Sequence, residues 1–340
     1  MNKKIYTSIL TVALMVGAVI AAVSFNSSRT AFAAASPMAA AADALAMLPA
    51  SDAVVYVDVR RLLTEAIPNI LASDPTKLAK FSAELEKIKT KTGFDVRSFE
   101  RVAVGVPYSN PSNAVAIARG SFSADALVAA GRIYANGKYT EQKYNNKSIY
   151  NFTLTEKSKV AGKPDKTQQI YVAALDANTL AIGMNAPTGV RAAVDANAGG
   201  IANRASADLV ALAARNPNAL VSFGGNVPAS LAQQATAFNA EIGKSIAPIR
   251  QAYGSVNTTG SNVETLFAMI TGSPDQANAL NSTLGALKQF SGLAVSQAPA
   301  DLRQTVQGVF DSLKITTHGN EVQVTTSVPT AGISSMIGKF

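Results

Sequence analysis

"ANTLAIGMNAPT" (residues 177–188) returns 142 positions later as "GNEVQVTTSVPT" (residues 319–330). In each copy an Asn, Asn178 or Asn320, is followed nine positions on by a Pro-Thr pair, Pro187-Thr188 or Pro329-Thr330. Apolar residues alternate between them: Leu180 and Ile182 in the first copy, Val322 and Val324 in the second. A period of two marks a strand with one buried face. Pro at a helix start supplies the preset φ and gives up no hydrogen bond. Each copy therefore reads as the return strand of a hairpin leading into a helix, and the repetition reads as an internal duplication.

The likeness extends on both sides. Ala53, Val54, Val55 and Val57 match Ala219, Leu220, Val221 and Phe223, an offset of 219 − 53 = 166. "IARGSFSADAL" (117–127) meets "ITGSPDQANAL" (270–280) at 270 − 117 = 153, and the closing pair gives 320 − 178 = 142. The falling offset predicts that the first half carries insertions of 13 and 11 residues, the second of them between 127 and 178. A helix is expected after the first strand, over "DPTKLAKFSAELEKIKTKTG". Asp74 can cap it, Pro75 suits its first turn, and Gly93 suits its end. Leu78, Phe81, Leu85 and Ile88 recur at three and four residues and form one apolar stripe, read as core packing. Paired strands alternating with helices give an α+β class: two similar lobes from an internal duplication, with antiparallel sheets packed by helices. The expected boundaries are 49–204 for the first repeat, with a Lys-rich hairpin insertion at 138–166, and 205–340 for the second.

Composition removes much chemistry. Among 340 residues there is no Cys, so disulfides, thiolate metal sites and a Cys nucleophile are excluded. The single His, His318, sits at the apex of a predicted hairpin between "LKITT" and "EVQVTT" and reads as an exposed turn residue. No catalytic, metal or cofactor residue is assigned, and no cofactor is expected. "GKS" at Gly243–Ser245 lacks the Gly a phosphate loop requires five residues earlier, where Phe238 stands. Asp58 ends the first strand ahead of Arg60-Arg61 and reads as a capping or salt-bridge residue.

The net charge of +8 is uneven: +3 in residues 1–33, 20 − 15 = +5 in 34–204, and 7 − 7 = 0 thereafter. Seven lysines face three acids in 138–166, an excess of +4. The stretch is free of Arg, so nucleic acid is not an expected partner. Lys143, Lys147, Lys157 and Lys159 are the candidates for weak, salt-sensitive contact with an anionic membrane or polysaccharide. The alternative is a solvated edge whose lysines block strand pairing.

Export is expected from the first 33 residues. Lys3 and Lys4 precede an uncharged run from Ile9 to Phe25, and a small-x-small site follows at Ala31-Phe32-Ala33. A signal peptide and an uncleaved membrane anchor at 9–25 both fit, and both place the body in the periplasm or outside the cell. An Ala-rich linker or helix (34–48) comes next. The arrangement "LPASDAVVYVDVRRLL … TGFD … VAVG … NAVAIARGSF" resembles exported bacterial proteins known only by a domain of unknown function. That resemblance implies an export route and a duplicated α+β body, and it brings no catalytic residues.

Three function classes follow. The first is a non-enzymatic envelope or secreted protein that binds an unknown envelope partner or a ligand between its lobes. The second is a carrier of an apolar ligand such as a lipid. The third is a hydrolase whose site has no local motif.

Overall fold

The computed structural model describes residues 38–340 apart from 157–165, 200–202, 239, 290, 299–302 and 338–340. The expected leader or anchor at 1–33, the first residues of the Ala-rich segment, and Lys157 and Lys159 lie outside the described residues. Two compact units are present: Ala39–Thr64 with Leu78–Val210, and Glu65–Lys77 with Ala211–Phe340. The second of these units takes up the chain from Ala211 onward.

The first unit opens with helix α1 (Met38–Ala46), strand β1 (Ala53–Asp58) and helix α2 (Pro75–Thr92), whose first turn belongs to the second unit. Strands β2 (Phe99–Val106) and β3 (Val115–Gly120) follow, then helix α3 (Ala124–Ala135). Four further strands are β4 (Tyr139–Tyr144), β5 (Lys147–Glu156), β6 (Lys166–Asp176) and β7 (Thr179–Met184), before helix α4 (Thr188–Asn197). Their spatial order is β1-β2-β3-β7-β6-β5-β4, antiparallel throughout.

Helix α5 (Ala207–Ala213) spans the boundary. The second unit contains β8 (Val221–Asn226), α6 (Ala229–Phe238), α7 (Ala240–Ile246), β9 (Ile249–Thr259) and β10 (Asn262–Thr271). Helices α8 (Pro274–Gln289), α9 (Ser291–Gln297) and α10 (Arg303–Asp311) precede β11 (Lys314–His318), β12 (Glu321–Pro329) and α11 (Thr330–Ile337). The strand order is β8-β9-β10-β12-β11. It matches β1-β2-β3-β7-β6 strand for strand, so the duplication is present in the topology itself.

The repeated strand-to-helix motif lies at the same station in both units. Gly120 N–H donates to Asn178 O at 3.2 Å, and Thr271 N–H donates to Asn320 O at 2.8 Å. Leu180 packs beneath Ala124 and Val128 of α3, with Ile182 at the margin of the same cluster. Val322 and Val324 pack beneath Ala277 and Leu280 of α8. Each such apolar side chain contributes about 1.5–3 kcal/mol on full burial. The Pro-Thr pairs start α4 and α11 as expected. Asp74 caps α2 by accepting from Lys77 N–H at 3.0 Å, and Leu85 and Ile88 of the predicted stripe are buried. Gly93 ends that helix at φ +69°, where a Cβ would be strained. His318 is exposed at the end of β11, and Gly243–Ser245 lies within α7.

Two of the three offsets need correction. Asp52 N–H bonds Val106 O, and Leu220 N–H bonds Val256 O, which sets the first-strand offset at 220 − 52 = 168 rather than 166. The Gly120/Thr271 pair gives 271 − 120 = 151 rather than 153. Both errors are two residues. A strand repeats every two residues, so a two-residue slip leaves every side chain on its own face and the apolar pattern fits equally well.

The second insertion is also of a different kind. From the cap at Ser123 to Asn178 the first unit spends 55 residues, against 47 from Ser273 to Asn320, a difference of only 8. Within that span β4 and β5 stand where the second unit has α9 and α10. A hairpin has replaced two helices, and the near-equal lengths conceal the exchange.

Ser123 accepts from Ala126 N–H at 3.2 Å, and Ser273 accepts from Gln276 N–H at 3.3 Å, so the two crossover helices share one cap. Ser123→Ala and Ser273→Ala should each lower stability by about 1 kcal/mol in denaturant titrations. An effect at one site with none at the other would show that the caps are not equivalent.

Candidate functional site

The hairpin β4–β5 is gripped from both faces by arginines on neighbouring helices. Cross-strand pairs place Tyr139, Tyr150 and Phe152 on one face, and Gln142 and Tyr144 on the other. On the first face the Arg132 guanidinium of α3 lies 5.3 Å from the Tyr139 ring centre and 5.5 Å from that of Tyr150. Its Nε donates to the Tyr139 hydroxyl at 3.1 Å, which favours the charged guanidinium further. On the second face Arg191 of α4 lies 5.3 Å from the Tyr144 ring centre and donates to Gln142 at 2.7 Å. Asp195, one helical turn on, accepts from the Tyr144 hydroxyl at 2.7 Å and from Asn145 at 2.6 Å. That carboxylate pushes the Tyr144 phenol above its ordinary pKa. The turn itself is Asn145-Asn146, both at positive φ, which suits a two-residue hairpin whose twist matches its strands.

Between α3 and the strands lies a groove of about 540 Å³. Asp125, Val128, Ala129 and Arg132 line it from the helix, at the i, i+3, i+4, i+7 spacing of a single face. Tyr150, Ala174 and Asp176 are among the residues lining it from the sheet. Ala124 N–H donates to Ala177 O at 2.8 Å, tying the β6–β7 turn to the start of α3. Asp125 and Asp176 are therefore at one end, and Arg132 with its two tyrosines is at the other. Val128 is buried between them, while Asp125, Arg132 and Asp176 are exposed. Neither Asp125 nor Arg132 has an ion-pair partner among the described residues.

Of the four lysines singled out from the sequence, Lys143 and Lys147 are among the described residues. Lys143 is exposed, pairs with Glu141 at 3.1 Å and donates to Ser148 at 2.6 Å. Lys147 is half-buried and donates to Leu175 O at 2.7 Å, beside the groove. The register sends the two side chains to opposite faces of the hairpin. Asp58 is a cap, accepting from Arg61 N–H at 3.0 Å. Arg132, Asp125 and Asp176 escaped the sequence reading. Only the i, i+7 pairing of Asp125 with Arg132 across an apolar Val128-Ala129 could have pointed to them.

A second charged cluster, in the second unit, is structural. Glu321 is 7% exposed at the start of β12, where the first copy has the smaller Thr179. Its Oε1 accepts from Tyr253 at 2.6 Å and Gln323 at 2.6 Å, and its Oε2 accepts from Arg215 at 2.7 Å. Arg215 also lies 4.8 Å from the Tyr253 ring centre. Burial acts to raise the Glu321 pKa, and the three donors outweigh it, leaving the pKa below its usual value. Burial, then the hydrogen bond to Glu321, pushes the Tyr253 phenol well up. Both carboxylate oxygens are thus engaged by side chains of the same unit. Among the described residues, no three His, Cys, Asp or Glu side chains gather as a metal site would need.

No family model and no curated relative matches this sequence. Among solved structures, crystal form III of TP0453 aligns at 10% identity over 88% of this chain and 98% of its own, with a TM-score of 0.47. Crystal form I of TP0453 aligns at 10% identity over 87% of this chain and 96% of its own, with a TM-score of 0.44. No residue role is carried over from either.

Glu321→Gln should cost about 1–3 kcal/mol near neutral pH, since it removes the charge that Arg215 and Tyr253 serve. The folded pKa is depressed, so this contribution is present above the unfolded value of about 4.3 and is lost as pH falls through the folded one. Denaturant titrations should show the parent–variant gap constant from neutral pH down to about pH 5.5 and closing below about pH 4. A gap that widens in acid would reverse the assignment.

Proposed function

We propose that this chain is an exported, non-enzymatic binding protein whose ligand sits in the groove between α3 and the β4–β5 hairpin. One observation carries the reading: the groove is built on the hairpin, and there the two halves of a duplicated frame have diverged. A copied scaffold keeps its core by packing constraints, so the part that departs from the copy is where a separate task is placed. Charged and polar groups make up most of the groove's lining, around a small apolar patch of Val128, Ala129 and Ala174, which suits a polar ligand. Export rests on Lys3, Lys4, the apolar run and Ala31-Phe32-Ala33. Residues 34–340, expressed without the leader, should show chemical-shift changes at Asp125, Val128, Arg132 and Tyr150 with members of a polar small-molecule library. A library that leaves these amides unmoved, or turnover in a broad hydrolase screen, would overturn the reading.

A further inference from the structure

We propose that the groove takes a free, extended peptide of about three residues, held by its two charged ends, an inference that rests on the binding reading above. Two opposite charges placed on one helical face carry it. Asp125 and Arg132 are seven residues apart on one helical face, about 10 Å along the axis at 1.5 Å per residue. Three extended peptide residues span about the same distance. The two anchors have opposite sign, and the floor between them is Val128 and Ala129.

Each end is suited to one terminus. Arg132 spends its Nε on the Tyr139 hydroxyl and a ring face on each of Tyr139 and Tyr150. Its terminal nitrogens make no hydrogen bond to any described residue, so a preset fork remains for a carboxylate. The rings fix the guanidinium in advance, which lowers the ordering cost on binding. At the other end Asp125 is exposed, and Asp176 has committed only Oδ1, to Asn178 N–H at 2.9 Å. Lys147, which also lines the groove, has its ammonium turned to Leu175 O. Two carboxylates there favour an ammonium group. A site that reads both termini selects a free peptide over an internal segment or a single protein tail.

The probe is tri-L-alanine, titrated into the full chain without its leader and followed by amide shifts and calorimetry. Amides of Asp125, Val128 and Arg132 should move together, and N-acetylation or C-terminal amidation should each weaken binding at least tenfold. Asp125→Asn alters only an exposed side chain, so the fold is retained. It should weaken tri-alanine about tenfold while leaving the acetylated peptide unchanged, since both remove the same contact. Arg132→Lys should weaken tri-alanine but not its amide, and di-alanine should bind at least tenfold less tightly than tri-alanine. Blocked peptides that bind as well as the free one would overturn the proposal. So would tri-alanine that moves nothing while other library compounds do move these amides, a result that leaves the binding reading intact. If no compound moves them, both readings fall.

Discussion

Each half of the chain closes where its last long strand returns beside its third. Gly120 N–H meets Asn178 O in one unit and Thr271 N–H meets Asn320 O in the other, and β3–β7 and β10–β12 zip together from those bonds. This pairing joins residues about fifty positions apart, so it bears a loop-closure cost that shorter hairpins escape. The crossover helix repays that cost by covering the returning strand: α3 lies over Leu180, and α8 over Val322 and Val324. Once those contacts exist, the chain between helix and returning strand is free to vary. One half has filled it with two strands, the other with two helices.

A hairpin added at a sheet edge is marginal alone, and β5 gains only one neighbour besides β4, namely β6. The arginines supply the remainder. Arg132 and Arg191 press tyrosines from opposite faces, each such contact contributing about 0.5–1 kcal/mol at an exposed site. Asp195 adds two hydrogen bonds to a charged acceptor at the hairpin tip. The outer strand carries Glu141 and Lys143, paired with one another, and such charges discourage a foreign strand from adding to the edge. The device that holds the hairpin also sets one wall of the groove.

What could be read from the chain divides along the same line. The duplicated frame was legible because its signals are local: alternating Leu180 and Ile182, a Pro-Thr helix start, a cap at Asp74. The register was legible only to within two residues, since the pleat makes slips of two silent on both faces. The exchange of β4–β5 for α9–α10 was hidden because 55 and 47 residues look like one segment with a short insertion. Lys147 was read as a candidate for contact with an anionic surface, or else as part of a solvated edge; in the fold it is half-buried and its ammonium reaches Leu175 O. The groove was least legible of all. Arg132 meets Tyr139 and Tyr150 only because the hairpin folds back over α3, a relation no spacing in the sequence encodes.

Glu321 and Arg132 show how a polar group declares its purpose. Glu321 has both oxygens taken, by Tyr253, Gln323 and Arg215, in a buried setting where an unmet lone pair would cost about 1–3 kcal/mol. Such closure fits a group whose work is to join β9, β12 and the segment after α5. Arg132 is fixed as firmly, by two rings and a hydroxyl, but its terminal nitrogens make no hydrogen bond to a described residue. Rigidity without satisfaction costs little at the surface, where water fills the open valences, and it adds nothing to the hairpin that the rings and Nε do not already give. The uncommitted fork is therefore idle for folding. A donor oriented in this way would lose little freedom on meeting an anion, which is what the proposed binding reading asks of Arg132.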